Sequence, residues 1–197
     1  NNETARRPVN ITFIAASRDF EDGLLDNTSI NWTSSIDGFL SHGTRFEINT
    51  TALSIGNHII TATTIDSDNL TNKANISLTI LSAQPIITIT QPTNGRIFRE
   101  GQQVNFSAIA DDFEDGILSN SSINWTSSIN GFLGNGNLEN LSNLSTGTHK
   151  LTATAKDSHN VTVTKDVNIV VIGIGTINLN FLRDGSTIKN LTYNTSG

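Results

Sequence analysis

The chain contains neither cysteine nor methionine. Without cysteine there is no disulfide framework and no thiolate chemistry, so any fold must be held by its cores alone. Without methionine, position 1 is not a translational start, and the expectation is a removed leader or an excerpt of a longer chain. Charge is scarce as well. Only 15% of residues are charged, and the net charge of −6 argues against nucleic acid as a partner. No apolar run approaches the length that spans a bilayer, which predicts no membrane insertion within this chain. No segment carries an amphipathic helical period with caps. There is no phosphate-binding glycine-rich loop and no nucleophile-bearing turn to complete a Ser/His/Asp arrangement. These absences predict a non-enzyme with no obligatory cofactor.

What the chain does hold is Thr, Asn, Ser and Ile, and one block written twice. FEDGLLDNTSINWTSSIDGFLSHG runs from Phe20 to Gly43, and FEDGILSNSSINWTSSINGFLGNG from Phe113 to Gly136. Eighteen of the twenty-four positions agree, at a constant offset of 93. A repeat this close means two tandem copies of one small module. β-branched side chains favour the pleated sheet, while Ser and Asn favour the turns between strands. Ile11, Phe13 and Ala15 alternate with Asn10, Thr12 and Ile14, and Ile30, Trp32 and Ser34 share one face of a strand over 29–35. Further strands are expected over 58–65, 74–81, 86–90, 104–110, 148–155 and 161–172. Residues 1–8 read as a loose lead-in, and 81–85 as a short linker stiffened by Pro85. The expected fold class is all-β: tandem antiparallel β-sandwiches with about seven strands each. The boundaries fall at 1–82 and 83–172, with a C-terminal strand segment over 173–197 that is a donor strand or the start of a third module. Trp32 and Trp125 should plug the two cores.

Three patterns occur in both copies: DFEDG, INWTSS-x-x-GFL-x-x-G and LS-x-G-x-H-x-x-TAT-x-x-D. Together they resemble the immunoglobulin-like repeats of surface proteins, in particular the polycystic-kidney-disease-type (PKD) and related bacterial and archaeal modules. The resemblance covers about residues 9–172 and implies a spacer or binding module, not a catalyst. Asn-X-Ser/Thr triplets point to the compartment. They stand at Asn2, Asn10, Asn27, Asn31, Asn49, Asn69, Asn75, Asn105, Asn120, Asn124, Asn140, Asn143, Asn160, Asn190 and Asn194. A charge-poor surface so dense in acceptors predicts an extracellular chain hydrated by N-linked glycans.

The ends of the chain do not match. The second module opens with its own strand over 86–90, whereas only residues 1–8 precede Val9, so the first module is expected to lack its first strand. At the other end Ile177, Leu179 and Phe181 alternate as a strand before Asp184-Gly185 and Ile188, matching the opening of the second module over 86–97. A chain one strand short at its start and one over at its end predicts complementation. The donor strand carrying Ile177, Leu179 and Phe181 enters the open edge of another copy. Such a head-to-tail contact does not close, so it propagates a filament. The alternative is a segment of a long surface stalk or adhesin that binds glycan or protein ligands. An accessory module of a secreted hydrolase is a third class, and it needs a catalytic domain elsewhere.

Calcium is the one metal the acidic turns suggest. Glu21 and Asp22 with Asp66, and Glu114 and Asp115 with Asp157, would offer hard oxygen ligands from loops at one end of each module. The same residues serve equally as solvated turns whose Asp side chains accept nearby backbone N–H groups. His58 and His149 occupy matching strand starts, which points to packing and a hydrogen bond that fixes the corner. His42 and His159 read as isolated loop residues.

Overall fold

A computed structural model describes residues 2–25, 27–181 and 189–194. The chain divides into two compact units, Asn1–Gln84 and Pro85–Gly197. Both are built of strands, and no α-helix occurs among the described residues.

The first unit comprises β1 (Asn2–Arg6), β2 (Asn10–Ile14), β3 (Arg18–Asp19), β4 (Gly23–Leu24), β5 (Ile30–Ser34), β6 (Gly38–His42), β7 (Arg45–Asn49), β8 (Gly56–Ile65) and β9 (Thr71–Leu81). One sheet runs β1-β9-β8-β5-β6. Packed on it are the antiparallel pair β2–β7 and the small hairpin β3–β4. The alternation of β5 sets the core: Ile30, Trp32 and Ser34 are buried between half-buried Asn31 and Thr33. Phe13 from β2 meets Trp32 with ring centroids 5.7 Å apart and stacks on Phe46 at 4.9 Å. The buried indole keeps its polar tip satisfied, since Trp32 Nε1 donates to the Gly43 carbonyl at 2.7 Å.

The opening residues are not a loose lead-in. β1 runs parallel to β9, from Asn2 opposite Ser77 to Arg6 opposite Leu81. Arg6 donates to the Ser82 carbonyl, and Arg7 donates to the carbonyls of Thr50 and Leu53. This edge strand is held by backbone pairing and guanidinium contacts, not by an apolar face, so no hydrophobic alternation marks it. In the short 81–85 linker Ser82, Ala83 and Pro85 are buried.

The second unit comprises β10 (Ile86–Gln91), β11 (Arg96–Arg99), β12 (Val104–Asp112), β13 (Gly116–Ile117), β14 (Ile123–Ser127), β15 (Gly131–Asn135), β16 (Leu138–Leu141), β17 (Gly147–Lys156) and β18 (Thr162–Ile172). Its sheets are β11-β18-β17-β14-β15 and β10-β12-β13, with β16 beside β12. β11 lies parallel to β18, as β1 does to β9. Trp125 is again central, edge-on to Phe106 at 5.2 Å and donating to the Gly136 carbonyl. Two packed sheets make each unit an immunoglobulin-like β-sandwich, and in the second unit the first strand is split between them as β10 and β11. The chain closes with β19 (Thr176–Phe181) and β20 (Lys189–Asn194), paired antiparallel to each other.

Candidate functional site

The two units differ at the strand position beside β2. In the second, β10 pairs antiparallel with Ser107–Asp111 of β12 and inserts Ile87 into the core, with Ile89 packed against it. Among the described residues, the first unit has a counterpart of β11, namely β1, but none of β10. The expectation that only a lead-in precedes Val9 is therefore corrected: the strand position left open is the half that would pair with β2. The consequence is visible in the backbone. β12 is one strand of nine residues, whereas its counterpart is broken into β2 and β3 with Ala15–Ser17 outside any ladder. A strand without a neighbour on that edge leaves amide and carbonyl groups free to pair.

Beside this edge lies a groove of about 410 Å³, lined by Phe13, Ala15, Trp32, Ile60, Ala62 and Ile76 among others. A smaller hollow of about 140 Å³ shares Ala15 and Ala62 with it and extends to Ser17 and Thr64. The repeat shows what the groove would otherwise hold. Ile76 is 37% exposed, while Val167, at the same register in the second unit, is 8% exposed. Ala108 and Ala153 are buried, whereas their counterparts Ala15 and Ala62 are only half-buried. The Thr64 hydroxyl, where the second unit has Ala155, is buried with no hydrogen-bond partner. The sequence candidates Ile177, Leu179 and Phe181 lie on β19, whose pairing partner is β20.

The acidic turns are organised around the first residue of each DFEDG pattern. Asp19 Oδ1 accepts the N–H groups of Glu21 and Asp22, and Asp112 Oδ1 accepts those of Glu114 and Asp115. Asp22 receives both the amide and the hydroxyl of Ser67, and Asp115 does the same with Ser158. Asp66 Oδ1 accepts from Asp68 and Leu70, and Asp157 Oδ1 from Val161. The Asp22 and Asp115 oxygens are thus spent on turn donors. The Asp22 and Asp66 side chains also border an open cleft of about 330 Å³. Among the described residues, no group of three or more His, Cys, Asp or Glu side chains is placed to hold a metal. Asp112 Oδ2 and Asp157 Oδ2 are buried with no hydrogen-bond partner. The backbone amides of Asp22 and Glu21 hold the Asp19 carboxyl below the usual carboxylate range. The Ser158 amide and hydroxyl do so for Asp115.

Each unit also buries a polar chain. Ser34 Oγ lies 2.8 Å from His58 Nδ1, and His58 Nε2 lies 2.8 Å from the Ser54 carbonyl. The carbonyl can only accept, so Nε2 carries the proton and the serine hydroxyl donates to Nδ1. That oxygen then accepts the amides of Ile36 and Asp37. Ser127, His149 and the Ser145 carbonyl repeat the arrangement at 2.7 Å and 2.7 Å. A Ser–His pair of this kind is not a nucleophile. It is buried, and its serine oxygen already accepts two backbone amides. The signal in the sequence was a polar residue on an inward face, Ser34 and Ser127, kept in both copies. His42 is not an isolated loop residue. It ends β6, bonds to Asn31 through Nδ1, and packs on the Phe39 ring. His159 stands in the turn beside Ser158.

Sequon side chains are described for all but Asn27, Asn190 and Asn194, which lie outside the described side chains. Asn2, Asn10, Asn49, Asn69, Asn75, Asn105, Asn120, Asn124, Asn140, Asn143 and Asn160 are exposed, and Asn31 is half-buried. In the second unit a polar cleft of about 440 Å³ is lined by Gln91, Gln102, Gln103, Asn105 and Asn140, with Arg96 over the Phe98 ring.

With the geometry in hand, the class of protein is a tandem of immunoglobulin-like β-sandwiches. No protein-family model matches the sequence, and no curated protein does. Among solved structures, the chain is similar to the fibronectin(III)-like modules of Clostridium thermocellum CbhA. Identity is 15%, with 87% of this chain and 90% of that chain covered and a TM-score of 0.42. It is also similar to domains 4 and 5 of the S-layer protein SbsC, at 14% identity, 80% and 79% coverage and a TM-score of 0.31. The titin domains z1z2, solved in complex with telethonin, match at 14% identity, 87% and 93% coverage and a TM-score of 0.39.

Proposed function

We propose that this chain is a structural, non-catalytic subunit of an extracellular filament, assembled head to tail by strand complementation and coated with N-linked glycans. The observation that carries the reading is the open strand position beside Ala15–Ser17, over an apolar groove whose counterpart in the second unit is closed by β10. β19 repeats the pattern of β10. Aligning Asn94-Gly95 with Asp184-Gly185 sets Ile177 against Ile87 and Leu179 against Ile89. Burying two such side chains contributes about 3–6 kcal/mol before the cost of association, and the new ladder adds backbone hydrogen bonds. Within the immunoglobulin-like class, the DFEDG and TAT-x-x-D patterns support a PKD-type module. Exposure at eleven sequon asparagines supports glycan attachment, and among the described residues no helix is long and apolar enough to cross a membrane.

The test is sedimentation and electron microscopy of the purified chain beside a variant lacking 173–197. The full chain should form fibres and the truncated chain should stay monomeric. Fibres from the truncated chain, or a full chain that stays monomeric at high concentration, would overturn the reading. The competing reading, a ligand-binding segment of a surface stalk, rests on the amide-lined cleft by Gln91 and Asn105. It gains ground if the full chain is monomeric and glycan arrays give a signal that Arg96→Ala removes.

A further inference from the structure

We infer that the donor strand sits in a single defined register, with Ile177 opposite Ser17, Leu179 opposite Ala15, and Phe181 opposite Ile14 of the receiving copy. This inference rests on the filament reading and goes beyond it by fixing which residues of a second copy of this chain meet which.

The template is internal. In the second unit Ile87 faces Ala110, Thr88 faces Ile109, Ile89 faces Ala108, and after a bulge Gln91 faces Ser107. The 93-residue offset carries those partners to Ser17, Ala16, Ala15 and Ile14. Aligning the Asn-Gly and Asp-Gly turns carries the donor side to Ile177, Asn178, Leu179 and Phe181. The parity is decisive. A slip of one residue would drive Asn178 and Asn180 into a groove lined by Phe13, Trp32 and Ile60 and turn the apolar residues to solvent. A slip of two residues preserves parity, and the rim of the groove opposes it. Within the chain the pair at the bulge is polar, Gln91 with Ser107. Between copies it becomes apolar on both sides, Phe181 with Ile14, and Ile14 is 68% exposed in the isolated unit. An exposed isoleucine at the rim and a phenylalanine at the matching donor position favour this register over the slipped one.

The receiving unit keeps its own β1 along β9. The donor therefore supplies only the half-strand that pairs with β2, and its chain must leave the sandwich after Phe181. In the second unit both halves come from one continuous segment, β10 and β11. A first strand shared between two molecules is the arrangement that results.

Because the chain has no cysteine, a disulfide can report the register without background. Ala16→Cys with Asn178→Cys places one thiol on each side of an outward-facing pair. Directly opposed residues in an antiparallel ladder stand ~4.5–5.5 Å apart at Cα, within the span a disulfide bridges. Under mild oxidation this double variant should convert from monomer to a ladder of oligomers on a denaturing gel, and reductant should collapse it. Ala16→Cys with Asn180→Cys, the two-residue slip, should stay monomeric on the same gel. A ladder from the second pair, or fibres by microscopy with a ladder from neither, overturns the register while leaving the filament standing. A fast-running crosslinked monomer means the strand folds back on its own copy, and overturns both. Absence of fibres and of ladders overturns the filament reading itself.

Discussion

Removing one oxygen atom, by Ser127→Ala, should unfold the second unit well before the first. Ser127 Oγ donates to His149 Nδ1 at 2.7 Å and accepts the amides of Ile129 and Asn130 at 3.2 Å each. His149 has 0% exposure, so its nitrogen finds no water when the hydroxyl goes. An orphaned buried acceptor costs ~1–3 kcal/mol, and two part-buried amides that must turn to solvent cost ~0.5 kcal/mol or more each. The sum is about 2–4 kcal/mol. With a urea dependence of ~1.5 kcal/mol per molar for a unit this size, the midpoint should fall by more than about 1 M. Tryptophan fluorescence follows both units, since each carries one indole. Hydrogen exchange resolved by peptide then assigns the early transition, with amides over 147–172 losing protection while those over 56–81 keep theirs. Ser34→Ala should produce the mirror image, exposing the first unit and sparing the second. A Ser127→Ala midpoint within about 0.3 M of the parent would show that the hydroxyl does not hold the imidazole, and the corner would need another explanation.

Acid should loosen the second unit through Asp115. Its carboxyl is held down by the Ser158 amide and hydroxyl. The stability it lends is therefore present above the unfolded carboxylate pKa of ~3.9 and is lost as pH falls through the lower folded value. Asp115→Asn should lower the urea midpoint at pH 7, with the gap to the parent closing by about pH 2; an equal gap at both ends would count against this. Chelator should leave the melting temperature unchanged, because Asp22 and Asp115 already accept the amide and hydroxyl of Ser67 and Ser158; a fall of several degrees would instead reveal a bound cation. The protein from its native source should exceed the bare 21.2 kDa polypeptide in intact mass and return to it on deglycosylation. A native mass equal to the polypeptide would dispose of the sugar coat.

The strands were legible where one face is buried and the other is not. Ile30, Trp32 and Ser34 alternate with polar neighbours, and the burial pattern repeats that alternation residue by residue. Where a strand is held by its backbone alone, the letters carry no such mark. Asn-Glu-Thr-Ala-Arg over 2–6 is mostly exposed and pairs with β9 through main-chain groups, so composition favoured a loose tail. The acidic turns were visible as clusters, but the roles within them were not. Glu21 and Asp22 drew attention through their charge, while Asp19 and Asp112, which accept the turn amides, look like ordinary strand ends. The groove could be anticipated only by comparing the two copies. What locates it is a missing partner, and no residue type encodes that.

Each sandwich is pinned at its corner by a serine hydroxyl, a neutral imidazole and a backbone carbonyl, not by sulfur. Such a clasp is indifferent to glutathione, peroxide or metal-catalysed oxidation of thiols, and it needs no isomerase to form. Units held this way would keep their fold under reducing and oxidising conditions alike.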